Sequence, residues 1–200
     1  YDTFCRRKNE FEAQIEYFQK TSSITNPFDL ERIKYYLESD IQSTYLLTFD
    51  DGYEDHLYCA EYLHSRDLSA YFFPTINAIN GKLLDVNAIH MLVGKRGLEI
   101  NKILEKLSII CLENNYLIDL KGEKVDIKTY IEKFDLYENY DDKKTQILKK
   151  VLQRDLIGDK NRVYVIDLLI KKFIGKSSKE IAHEIYLDLD NLLFLKSIGM

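Results

Sequence analysis

Two adjacent carboxylates, Asp50 and Asp51, follow directly on an apolar and β-branched run, Thr44-Tyr45-Leu46-Leu47-Thr48-Phe49, and are themselves followed by Gly52. Like charges at such short range destabilise one another, so the arrangement calls for something that offsets the repulsion. A bound divalent cation does this, taking one carboxylate as ligand and leaving the other as a base. Gly52 permits a backbone bend and a close ligand approach at the same point. A plainer reading is that the aspartates cap a following helix, where free backbone N–H groups and the helix dipole favour acids. The spacing alone leaves both readings open.

The other groups that could join such chemistry are few. His56 and His64 lie eight residues apart on roughly one helical face, close enough to conceive of a shared metal, although solvated or packed imidazoles are the commoner outcome. His90 sits in an apolar segment and reads as a core histidine, whereas His183 falls in a helix of mixed charge and reads as exposed. Cys5, Cys59 and Cys111 are odd in number, far apart and in no CxxC arrangement, so neither a disulfide framework nor a thiolate metal site is expected. Cys59 and Cys111 lie in apolar helical patterns and read as reduced thiols.

The elements that must position Asp50 and Asp51 follow from hydrophobic periodicity. Phe11, Ile15, Tyr17 and Phe18 recur at helical spacing between Lys8 and Lys20, and Thr21, Ser22 and Ser23 close that helix. A second helix is expected from Asn26-Pro27-Phe28-Asp29 to about Ser39, with Asn at the cap and Pro in the first turn. The run from Thr44 to Phe49 lacks a helical period and predicts a strand buried on both faces. Tyr53 to Arg66 then predicts a helix and Ser69 to Phe73 a second buried strand, which together make a βαβ unit with the aspartates at the carboxyl end of its first strand. That end of a parallel strand is where α/β folds place their ligands.

Asn80-Gly81 supplies a turn and Leu83 to Val93 a short apolar segment, after which the character of the chain changes. Helical spacing of Leu, Ile, Lys and Glu dominates: Leu98 to Glu113, Lys128 to Phe134, Asp142 to Leu156, Asn161 to Ile174 and Ser177 to Tyr186, with one strand-like stretch, Tyr116 to Leu120. The economical description is an α/β start over residues 1–94, a helical insertion over 95–187, and a return over 188–200.

Composition bounds the partners. The 200 residues are 46% hydrophobic and 30% charged, as in an ordinary globular chain able to bury a core. With 28 Lys and Arg against 33 Asp and Glu, a net of -5 and no long run of one sign, nucleic acid is not an expected partner. No apolar stretch approaches the ~20 residues of a membrane span, and no signal sequence opens the chain, so a reduced, cytoplasmic setting is expected. The first residue is Tyr1 rather than Met, which leaves room for a leader upstream.

Tyr45-Leu46-Leu47-Thr48-Phe49-Asp50-Asp51-Gly52-Tyr53 resembles the first motif of the polysaccharide deacetylase family, which includes chitin and peptidoglycan deacetylases. The surroundings resemble it too: a following helix, a strand similar to Ser69-Ala70-Tyr71-Phe72-Phe73, a glycine loop similar to Ile79-Asn80-Gly81, and an opening helix with Phe11, Gln14 and Tyr17. The likeness covers residues 1 to about 93 and extends to 188–200, leaving the helical insertion outside it. A TFDDG stretch between such a strand and such a helix is a fairly specific signal.

The resemblance implies a distorted (β/α) barrel, here partial and carrying a large helical insertion, and a metal-dependent hydrolase that removes acetyl groups from a carbohydrate, N-acetyl before O-acetyl. It implies Asp50 as the general base and Asp51 as a ligand of a divalent cation, zinc being the expected metal. The family's two histidine ligands come from a later His-Ser/Thr-x-x-x-His type motif, and none of the four histidines here has that spacing. Leu187 to Met200 resembles the helix and glycine turn that precede that motif, so the resemblance implies an amino-terminal part whose catalytic centre is incomplete by itself. The competing expectation is a non-catalytic glycan-binding or assembly protein that keeps the strand and aspartates for folding. Fifteen tyrosines would suit sugar stacking, although tyrosines at helical spacing are more often core or interface residues.

Overall fold

The computed structural model describes residues 7–39, 44–136 and 141–200 of the chain. They form a mixed α/β protein in which helices predominate, divided into two compact units. One unit is the continuous stretch Leu83–Glu180; the other joins the described residues up to Lys82 to Ile181–Met200.

The discontinuous unit begins with α1 (Lys8–Thr21), held at its start by the Glu10 carboxylate, which accepts the Arg7 backbone N–H at 2.8 Å. Its apolar positions Phe11, Ile15 and Phe18 share one face and pack into a cluster with Leu63, Ala70 and Phe72. β1 (Ser23–Ile24) follows, and then α2 (Leu30–Glu38). The expected start of α2 at Asn26 is corrected: the Asn26 side chain closes a local turn by accepting from Phe28 N–H at 2.9 Å, and Asp29 is the cap, accepting from Arg32 N–H at 3.0 Å.

The single strand expected over Thr44 to Phe49 is two short ones, β2 (Thr44–Tyr45), parallel to β1, and β3 (Thr48–Asp51). Nor is the run buried on both faces. Leu46 is 44% exposed, and side chains along β3 alternate between exposed and half-buried, because each strand belongs to a sheet of only two strands. α3 (Asp55–His64) leads to β4 (Tyr71–Pro74), which pairs parallel with β3 in the register Thr48 with Tyr71 through Asp51 with Pro74. The βαβ connection read from periodicity is therefore present. Phe49 and Phe72 stack across it, ring centroids 4.7 Å apart and planes nearly parallel. A short α4 (Ile76–Ile79), capped by the Thr75 hydroxyl, ends at the Asn80-Gly81 turn.

The continuous unit opens with α5 (Asp85–Gly94) and α6 (Ile100–Glu113). An antiparallel hairpin of β5 (Ile118–Leu120) and β6 (Glu123–Val125) leads into α7 (Ile127–Lys133), and α8 (Lys143–Lys150) runs on into a five-residue π-helical turn, Val151–Asp155. α9 (Asp159–Ile174) packs against both α5 and α6 and buries Val165, Ile166, Leu169 and Ile170. α10 (Ser178–Ile185) then carries the chain back to the first unit, where α11 (Leu189–Ser197) starts at a reciprocal cap between Asp188 and Asn191 and packs against α3 through Leu195 and Ala60. No closed barrel is present among the described residues, and no helix among them is long and apolar enough to cross a membrane.

Candidate functional site

Asp50 and Asp51 close β3 at its carboxyl end, where the periodicity of the sequence puts them. Asp50 is exposed and Asp51 half-buried. Asp51 adopts a left-handed backbone conformation with φ of 70°, and Gly52 continues it at 75°. Aspartate tolerates that region better than most residues but remains strained in it. The left-handed backbone at these two residues ends the strand, while burial alternates along it to its last position, Asp50 exposed and Asp51 half-buried, as strand residues do.

Gly52 has a second requirement besides its φ. A Cβ built there would stand 2.6 Å from Pro74 Cβ, because the end of β4 presses directly on the turn. The neighbouring backbone is held from the other side. Gly52 carbonyl accepts the Leu187 N–H at 2.8 Å, Glu54 N–H donates to the Ile185 carbonyl at 2.8 Å, and Tyr53 and Tyr186 form an antiparallel bridge. The aspartate turn thus sits on a brace of two backbone hydrogen bonds, which together make the Tyr53–Tyr186 bridge, to residues about 130 positions later in the chain, and buried backbone groups of this kind are paired as a rule. Periodicity carries no signal for that brace.

Neither aspartate caps α3. Its N-cap is Glu54, with no side-chain cap hydrogen bond. The plainer reading of the pair therefore lacks its defining contact.

His56, the second residue of α3, lies against this turn. Its ring packs on Phe49 at 5.3 Å, Tyr53 at 5.8 Å and Phe72 at 5.8 Å between centroids, and its Nδ1 is buried without a hydrogen-bond partner. Burial pushes the imidazole pKa below its ordinary value, while the carboxylates of Asp55, Asp51 and Asp50 pull it partway back. His64 is exposed at the far end of the same helix, so the structure does not bring the two imidazoles together at this site. His183 is exposed as expected, its ring lying against Gly81. His90 is a correction: it is exposed, because α5 buries Asn87, Ala88, Ile89, Met91 and Leu92 and the helical phase turns residue 90 outward.

Cys59 and Cys111 are free thiols, each pushed up to about 11 by burial, which keeps both protonated and weakly nucleophilic. Cys5 lies outside the described residues.

Carboxylates suit a divalent cation by donor type. Among the described residues, however, no group of three His, Cys, Asp or Glu side chains is arranged to hold a metal ion. The pair supplies too few donors to retain one by itself. What the site does provide is two carboxylates of unlike exposure on a rigid, braced turn, with an apolar aromatic wall and a neutral imidazole beside them. No family model matches the chain, and no curated protein and no solved structure matches it significantly.

Proposed function

We propose that this turn is the first catalytic motif of a polysaccharide deacetylase-like hydrolase, acting on N-acetyl, and secondarily O-acetyl, groups of a carbohydrate. The observation that carries the reading is the strained Asp51-Gly52 turn at the carboxyl end of a parallel strand, fixed against Pro74 and against Ile185, Tyr186 and Leu187. Strain of this kind persists only where surrounding structure over-determines it, and it concentrates at functional sites. The TFDDG resemblance supplies the roles.

In this reading Asp50, the exposed member, accepts the proton of the attacking water, and Asp51, the half-buried member, is the carboxylate assigned to a divalent cation, zinc by preference. Such a cation, when bound, polarises the acyl oxygen and stabilises the oxyanion that forms. The remaining donors are not among those the described residues bring to this turn. The rigid backbone keeps Asp50 and Asp51 at a fixed separation, and the aromatic wall of Phe49, Tyr53 and Phe72 limits water on one side.

The lack of a third donor among the described residues favours the alternative, a glycan-binding or assembly protein without catalysis, and one experiment separates the two. The protein expressed from its full coding sequence is dialysed to equilibrium against zinc and assayed for acetate release from N-acetylglucosamine oligomers. The enzymatic reading expects zinc uptake to depend on Asp51 and survive Asp50→Asn, with acetate release lost in Asp50→Asn. Zinc uptake indifferent to Asp51, or unchanged release by Asp50→Asn, refutes the assignment.

A further inference from the structure

The run that carries the aspartates makes its sheet hydrogen bonds on one side only. The Tyr45 carbonyl accepts the Thr25 N–H at 2.9 Å, just past β1, and the Leu47 carbonyl accepts the Tyr71 N–H at 3.0 Å, at the start of β4. The register of Thr48 with Tyr71 through Asp51 with Pro74 then commits the backbone groups of Phe49 and Asp51 to β4 as well. Successive residues of a strand direct their N–H and C=O groups to opposite edges, so those of Leu46, Thr48 and Asp50 face away from both β1 and β4. Among the described residues no hydrogen bond reaches these three.

The side chains show that this alternation passes through Leu46 and Leu47 without a bulge. Tyr45 stacks on Phe18 of α1 with ring centroids 4.3 Å apart, and Leu47 and Phe49 pack into the cluster around Ile15 and Leu63. Leu46, Thr48 and Asp50 are exposed on the opposite face, in line with Phe73, the exposed register partner of Asp50. Parallel sheets ordinarily have both faces covered, and bare edges are ordinarily guarded by lysine, proline or a bulge. The run from Thr44 to Asp51 contains neither lysine nor proline.

This edge is complementary to itself. With a two-fold axis at Thr48, two copies run antiparallel, Thr48 opposite Thr48 and Leu46 of each opposite Asp50 of the other. Every N–H and C=O of the three residues then meets a partner. The one charged side chain of the three, Asp50, lies across from leucine, so no like charges face one another, and a threonine pair occupies the centre. A register centred on Asp50 would instead set the two carboxylates against each other.

We propose that the protein pairs with a second copy of itself along this edge, the two β3 strands joining antiparallel about a two-fold axis at Thr48. The pairing is independent of the chemistry assigned to the aspartates.

The test is sedimentation equilibrium of the protein expressed from its full coding sequence, at micromolar to millimolar concentration, with urea unfolding as the check on folding. A monomer–dimer equilibrium is expected. Thr48→Val keeps the backbone groups and the β-branched side chain and should keep the dimer. Thr48→Pro removes an N–H that serves no bond within the chain, so the monomer should still fold, as proline is tolerated on the open side of an edge strand. It should raise the dissociation constant about tenfold or more, since two hydrogen bonds are lost per dimer. Thr48→Lys sets two cations face to face at the axis and should weaken the dimer without any change to the backbone. A protein that stays monomeric throughout, or a dimer as tight in Thr48→Lys as in Thr48→Val, overturns the proposal. Unfolding by Thr48→Pro would equally overturn it, by showing that the edge is already paired within the chain.

Discussion

Replacing Gly52 by alanine tests whether the aspartate turn is as tightly built as the geometry says. The new Cβ would meet Pro74 Cβ at 2.6 Å and Pro74 Cα at 3.0 Å, and neither neighbour is the flexible tip of a long side chain. The left-handed φ of 75° adds its own penalty. A left-handed alanine costs about 1–2 kcal/mol and overpacking about 1–3 kcal/mol, so Gly52→Ala should destabilise by about 2–5 kcal/mol. Gly199 provides the control within the same unit: its φ is 82°, and a Cβ there meets nothing within 4 Å. Gly199→Ala should therefore show only the conformational part, about 1–2 kcal/mol. Urea unfolding followed by far-ultraviolet circular dichroism reads both, with a midpoint shift for Gly52→Ala of about 1–2 M at ordinary denaturant sensitivity. Equal losses in the two variants would refute the close approach of β4 to the turn, and with it the account of why the carboxylates are fixed.

Two further expectations rest on buried polar groups. Tyr130→Phe removes the hydroxyl that donates to the buried Asp155 carboxylate and should cost about 1–3 kcal/mol in urea unfolding; a loss below about 0.5 kcal/mol would mean that the hydrogen bond is replaced at once by solvent. Burial holds His56 below the ordinary imidazole value of 6.5 in the folded state, so the unfolded chain binds the proton more readily. The folded state should therefore lose stability as pH falls below about 6.5 and on through the depressed folded value. His56→Phe, which keeps a ring against Phe49 and Phe72, should flatten that part of the stability-versus-pH curve; an unchanged slope would assign the loss to other groups.

Much of the architecture near the aspartates is legible in the sequence, for identifiable reasons. The βαβ unit shows itself because the runs through Phe49 and Phe73 lack the helical period that Leu57, Ala60 and Leu63 show between them. Helices in 98–187 are legible in the same way, through leucine and isoleucine at 3.6-residue spacing. The interruption at Leu46-Leu47 is not, since an apolar run looks alike whether it pairs with one partner or two in succession. The π-turn is equally silent, because Val151 and Leu152 continue the apolar pattern of α8 while the hydrogen bonding changes beneath it. His90 misled through composition: its neighbours are apolar, but a helix face is set by phase and not by adjacency. At the candidate site the positions of Asp50, Asp51 and Gly52 are readable, whereas the left-handed turn at Asp51 and the links to Ile185, Tyr186 and Leu187 depend on contacts between distant residues.

The discontinuous unit has a consequence for biosynthesis. Its two stretches are separated by Leu83–Glu180, so a chain emerging from the ribosome presents β3, α3 and β4 well before α11 and the residues that tie down Gly52 and Glu54. At about 5–20 residues per second the wait is on the order of 5–20 seconds, long compared with helix or hairpin formation. During that interval the nascent Asp51-Gly52 segment lacks its partners from Ile185 to Leu187, and the intervening unit has time to reach its own structure first.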